Sequence, residues 1–224
     1  MVLAAALCYR AATKSRLWGL KVSNASGRIA LALALAGIVA APAAPAAAQS
    51  YSDGYLFLKA VREKDADKVN QLVASSANVV LNIRDQSDGE GALHYVTRER
   101  EIVWLNFLLN KGAKADIQNN KGETPLSLAA QIGWEEGASF LIGKGATVDL
   151  GNQRGETPLM LAVQHRDLQM VQLLLAHGAN PNKNDRVSGY SALEFAKRDP
   201  RATAIVKALT DKAGPPKAAA GPKP

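Results

Sequence analysis

The chain has 224 residues with 27 Lys and Arg against 20 Asp and Glu, a formal charge of +7 at pH 7, but that excess sits at the two ends. Arg10, Lys14, Arg16, Lys21 and Arg28 precede residue 49, and Lys217 and Lys223 lie near the C-terminus. Removing these seven leaves 20 bases against 20 acids in residues 49–212, a balance that supplies none of the excess base a clustered nucleic-acid surface needs, so no nucleic-acid partner is expected.

The single cysteine, Cys8, also lies ahead of residue 49. A chain trimmed there has no thiol for disulfides, nucleophilic catalysis or a cysteine-ligated metal. Trimming is what the first segment predicts. Residues 29–40, IALALALAGIVA, follow Arg28 as an apolar run, and residues 41–50, APAAPAAAQS, supply small residues up to Ala48. A basic region, an apolar stretch and an A-x-A site make a secretory signal, expected to be cut after Ala48. The chain is then periplasmic or secreted. The alternative is a retained leader anchoring the protein in the membrane, which Pro42 and Pro45 disfavour.

From residue 49 to 212 a period of 33 residues organises the chain, and such a period decides architecture before single elements do. Tyr55 to Ala77 reads as a first helix pair, since Ala60 and Ala77 are separated by 17 residues like Ala162 and Ala179. Roughly three extra residues precede Gly89. A second unit begins there, with Leu93 and His94 on its first helix. The third and fourth are the clearest, with GETPLSLAA at 122–130 matched by GETPLMLAV at 155–163. In each, the glycine permits a turn, Thr124 or Thr157 caps free amides, and Pro125 or Pro158 suits the first helical turn. Phe107-Leu108-Leu109, Phe140-Leu141-Ile142 and Leu173-Leu174-Leu175 share one place on the second helices, which Gly112, Gly145 and Gly178 end as left-handed caps. A fifth unit starts at Gly189, carries Ser191, Ala192, Leu193 and Ala196, and finishes on Ile205, Val206, Ala208 and Leu209. From Ala213 the chain reads AGPPKAAAGPKP, a flexible tail. Within the fourth helix pair's predecessor, Gly137 corresponds in register to Trp104, which predicts that the glycine makes room for that indole.

G-x-T-P-L-x-x-A-A followed by a leucine-rich helix and Gly-Ala resembles the ankyrin repeat. The resemblance implies an all-α ankyrin-repeat solenoid of about five helix-turn-helix units with short β-turn fingers, its first and last units acting as caps. It also implies a partner protein docked on a concave face formed by fingertips and first helices. Carried onto this chain, the tip positions are Ser87, Asp88 and Glu90, then Asn120, Lys121 and Glu123, then Gln153, Arg154 and Glu156. The positions ahead of the inter-helix turn are Arg98 and Glu99, Gln131 and Ile132, Gln164 and His165. Glu90, Glu123 and Glu156 should run as a ladder beside Lys121 and Arg154, with Glu123 and Arg154 able to pair between neighbours. Trp134 stands where the family has a partly exposed histidine and either covers core or anchors a partner.

Signals for chemistry are missing. His94, His165 and His177 occupy different register positions, no H-E-x-x-H, phosphate loop, dinucleotide fingerprint or nucleophile elbow occurs, and proline removes an amide donor from each Gly-Glu-Thr-Pro turn. No catalytic residue, cofactor or metal is expected. The expected role is a monomeric, non-catalytic binding module, and the alternative is an envelope-associated structural protein using its basic tail.

Overall fold

The computed structural model describes residues 46–75 and 79–213. The leader up to residue 45 with Cys8, the tail from residue 214, and Ala77 lie outside the described residues. The leader boundary expected after Ala48 falls in the first turn of the first helix.

Among the described residues ten α-helices follow one another in five pairs: α1 Ala46–Arg62 with α2 Ala66–Ser75, α3 Ala92–Arg98 with α4 Ile102–Asn110, α5 Pro125–Ile132 with α6 Glu135–Gly143, α7 Pro158–Gln164 with α8 Leu168–Ala176, and α9 Ala192–Arg198 with α10 Thr203–Ala213. First helices pack on first helices (α1, α3, α5, α7, α9 in order), and α4, α6, α8 and α10 form a second layer. Among the described residues there is no strand, only isolated antiparallel bridges between Arg84 and Gly91 and between Asn184 and Ser191. None of these helices is long and apolar enough to cross a membrane.

The helix starts follow from the caps. Thr124 accepts from the Ser127 N–H at 3.1 Å while the Ser127 hydroxyl accepts from the Thr124 N–H at 2.8 Å. Thr157 does the same with Met160, accepting from its N–H at 3.3 Å while the Thr157 N–H donates to Met160 Sδ at 3.5 Å, and Ser191 with Glu194 also closes both halves. Each such cap satisfies amides that a helix start leaves without partners, for about 1 kcal/mol. At the far ends Gly112, Gly145 and Gly178 have φ of +99°, +92° and +86°, the left-handed conformation that closes a helix without a Cβ penalty.

Short first helices present Ala92, Ala129, Ala130, Ala162 and Ala192, all fully buried, so neighbouring helices approach closely. Leu93, Leu126, Leu159, Leu108, Leu141 and Leu174 fill the space between the layers, each at most 1 % exposed and each worth roughly 2–3 kcal/mol of burial. The extra residues ahead of Gly89 form a 3-10 turn, Val79–Asn82, whose Val80 and Leu81 are buried against α1 and α2.

Gly137 corrects the expectation drawn from register. A Cβ there would lie 2.1 Å from the ring of Trp134, three residues earlier on the same chain segment, and no atom of Trp104 is among its nearest neighbours. Local helical geometry places residues i and i+3 on one face, and this outweighs the match between repeats. Trp134 itself is 6 % exposed and belongs to the core; it covers core and does not stand out as an anchor.

Candidate functional site

The fingers between repeats are held by asparagine clasps. Asn119 Oδ1 accepts from the N–H groups of Lys121 and Glu123, both at 2.9 Å, while its Nδ2 donates to Glu123 Oε2 at 2.8 Å. Asn152 does the same for Arg154 and Glu156, with its Nδ2 2.9 Å from Glu156 Oε2. In the second unit Glu90 instead accepts both guanidinium nitrogens of Arg98. The expected ladder of glutamates as part of the docking surface is therefore corrected: Glu90 is 3 % and Glu156 7 % exposed, and Glu123 is half-buried, because each carboxylate is spent inside its own repeat. The expected Glu123–Arg154 pair is likewise replaced by Arg154 with Glu156 at 3.7 Å.

Successive tips are joined through their main chains. The N–H of Asn120 donates to Asp88 O at 2.9 Å, that of Gln153 to Lys121 O at 3.0 Å, and that of Arg186 to Arg154 O at 2.8 Å. Side-chain amides reinforce this run, with Gln153 Nε2 2.8 Å from Asn120 O and Asn120 Nδ2 3.4 Å from Ser87 O. Fingertip glycines allow the approach. Gly89, Gly122 and Gly155 have φ of +74°, +76° and +80°, and a Cβ on any of them would come within 2.8 Å of the next finger.

Asn120 and Gln153 thus serve the scaffold, and so does exposed Asp88, whose Oδ1 accepts from the Glu90 N–H at 2.9 Å, leaving Lys121 and Arg154 as exposed tip side chains. At the ends of the first helices Arg98, Glu99, Gln131, Gln164 and His165 are exposed and Ile132 is half-buried. The pair of Glu90 with Arg98 reaches from the base of a finger to the far end of α3, so tips and helix ends belong to one surface.

His94 is fully buried in that surface's foundation. Its Nδ1 accepts from the Gly91 N–H at 3.0 Å and its Nε2 lies 2.9 Å from Glu123 O on the following finger, which fixes Nε2 as the protonated nitrogen. Burial pushes the His94 imidazole below its ordinary value, opposed by the bond to Glu123 and the charge of Glu90. Asp85, at the base of the second unit's finger, is held below the usual carboxylate range by the N–H and hydroxyl of Ser87. Among the described residues no three His, Cys, Asp or Glu side chains gather as metal ligands.

The fifth finger holds residues that sequence reasoning missed. Tyr190 takes the place of the clasped glutamates, with its ring 5.8 Å from Phe195 and the Arg198 guanidinium 4.5 Å above it, and Val187 beside it is 66 % exposed. The signal was present in the spacing. Asp85 to Gly91 and Asp185 to Ser191 are seven-residue turns exactly 100 positions apart, whereas Asn119 to Thr124 and Asn152 to Thr157 have six residues.

A family model for ankyrin repeats (3 copies) matches residues 57–152, 104–185 and 136–218, overlapping spans that together cover well over half of the chain. The chain belongs to the ankyrin-repeat family. It is 35 % identical over 81 residues to the human 2-5A-dependent ribonuclease and 41 % identical over 54 residues to palmitoyltransferase ZDHHC17 of Danio rerio. Those segments are 36 % and 24 % of this chain but only 11 % and 9 % of the relatives, so the chain spans about a tenth of either one. Ankyrin repeats generally mediate protein–protein interaction, and the likeness here is confined to such segments.

Proposed function

We propose that this protein is a non-catalytic protein-binding module, exported to a bacterial periplasm, that works as a monomer through the surface joining its fingertips to its first-helix ends. The observation that carries the reading is the division of labour within the fingers. Clasps and main-chain bonds hold the turns without the side chains of Lys121 and Arg154, which remain exposed on a fixed frame. A pre-organised surface loses little entropy on docking, and exposed charge on it favours encounter and partner choice. Export rests on the leader of basic region, apolar run and Ala48 site. The names of the relatives lend no activity here, because the similar segments are a small part of those proteins.

Affinity capture from the periplasmic fraction, with the chain and with Lys121→Glu/Arg154→Glu as baits, tests the surface. Loss of specific proteins from the variant is expected; equal recovery by both baits removes the assignment. Mass measurement of the mature protein tests the leader, with Gln49 expected as the first residue. Deleting residues 213–224 should leave capture intact, and loss on deletion would favour binding through the basic tail.

A further inference from the structure

Three consecutive fingers bring a cation to one edge of the stack: Lys121, Arg154 and Arg186. All are exposed. The side chains of Lys121 and Arg186 have no partner among the described residues, and Arg154 keeps a side chain 64 % exposed beside its 3.7 Å contact to Glu156. The acids nearest in sequence are already engaged, Glu123 and Glu156 by the asparagine clasps and Asp185 by the Ser188 hydroxyl. Main-chain bonds from Gln153 to Lys121 and from Arg186 to Arg154 hold the three fingers at a fixed interval. At the fifth finger the cationic edge meets Val187 and Tyr190, two large apolar side chains that are 66 % and 36 % exposed.

We infer that this edge binds an extended acidic segment of a partner protein, with carboxylates on Lys121, Arg154 and Arg186 and an apolar side chain against Val187 and Tyr190. The inference rests on the protein-binding reading above and names the chemistry of the partner. Packed helices lie about 8–10 Å apart, and an extended chain rises about 3.3 Å per residue. Acids about three residues apart therefore meet Lys121 and Arg154, and a third reaches Arg186, which stands in its finger where Gln153 stands in the preceding one, one position before the place of Arg154. Exposed Asp88 on the preceding finger repels a fourth acid and sets where the acidic stretch stops. A single-stranded nucleic acid fits less well, since it calls for a row of aromatic platforms along a basic groove, and the finger row offers Tyr190 alone.

The test is fluorescence anisotropy of the full chain with a labelled peptide carrying three glutamates at every third position, a leucine at each end, and glycine and serine between. Controls are the same composition with contiguous glutamates, the same spacing with lysines, and an oligothymidylate. The spaced acidic peptide is expected to bind at least tenfold tighter than either control peptide and to weaken with added salt. Lys121→Gln/Arg154→Gln/Arg186→Gln should weaken it at least tenfold, and Val187→Ser about threefold, with melting curves unchanged because these side chains lie outside the core. Equal binding of the contiguous peptide, tighter binding of the oligonucleotide, or unchanged affinity in the triple variant overturns the inference. If the peptides do not bind while the Lys121→Glu/Arg154→Glu bait still loses its captured proteins, the acidic-segment inference fails and the surface stands; if capture is also unchanged, both fall.

Discussion

The fingers of the middle repeats and those of the outer ones solve the same folding problem with different parts. In the third and fourth units a six-residue turn is closed by asparagine, Thr124 or Thr157 starts the helix, and proline follows. In the second and fifth, a seven-residue turn is closed by Asp85 or Asp185 through serine, and Gly91 or Ser191 starts the helix. A middle finger has a neighbour on both sides, and its tip glycine is constrained twice, by φ and by the finger that follows. Among the described residues no finger follows the fifth. Gly189 shares the positive φ, +71°, but a Cβ there would meet nothing within 4 Å.

That contrast can be broken most forcefully at the glycines. Gly155→Ala should destabilise by about 3 kcal/mol, combining left-handed strain with a collision against the Arg186 main chain, whereas Gly189→Ala should cost about 1 kcal/mol from strain alone. Chemical denaturation of both variants checks this, and equal losses would show that the contact between fingers is of no consequence.

A smaller effect separates the threonine caps from the histidine that replaces their partner in the second unit. His94 is neutral when folded, with its imidazole pushed down by burial, so the unfolded chain binds the extra proton first. Its contribution to stability is present above the ordinary histidine range near 6.5 and is lost as pH falls through the folded value. Protonation sets Nδ1–H against the Gly91 N–H. Thermal melts from pH 7.5 to 5 should show a steeper fall for the wild type than for His94→Gln, and parallel curves would place the acid response elsewhere. In the third unit Ser127 holds the corresponding bond with a group that does not titrate in this window, so local exchange protection there should be flat with pH.

The smallest effect is a gain. Thr97 Oγ1 is buried without a hydrogen-bond partner among the described residues, where the next two repeats have Ala130 and Val163. Thr97→Val keeps the shape and removes an orphaned hydroxyl, so the melting temperature should rise, by up to about 1 kcal/mol in stability. A fall would mean that the hydroxyl is satisfied in solution.

Much of the scaffold was readable because it is written in backbone requirements. A positive φ demands glycine at 122, 155, 112, 145 and 178, and a helix start demands a small oxygen-bearing side chain such as Thr124, so both recur at the repeat period. The surface was less readable because side-chain choices there are settled by close neighbours. Asn119 four residues before Glu123, and Asn152 four before Glu156, mark the clasps, but the period drew attention to the glutamates as a row and away from the partners within each turn. Gly137 was misread for the same reason: its indole neighbour is three residues away, not 33. Arg100 and Arg166 were also passed over. They occupy left-handed positions, at φ of +56° and +58°, that Gly133 fills between them, and each reaches the next repeat, Arg100 at Ile132 O and Arg166 at Asp199.

Because the tips are stitched together by amide and carbonyl alone at Lys121 and Arg154, the lettering on them is independent of the stitching. Drift at those two codons would change the charge the tips present without altering how the protein folds. A library randomised at positions 121 and 154 should yield mostly soluble, cooperatively melting members, whereas members changed at position 88 should lose the bond from the Glu90 N–H and melt lower.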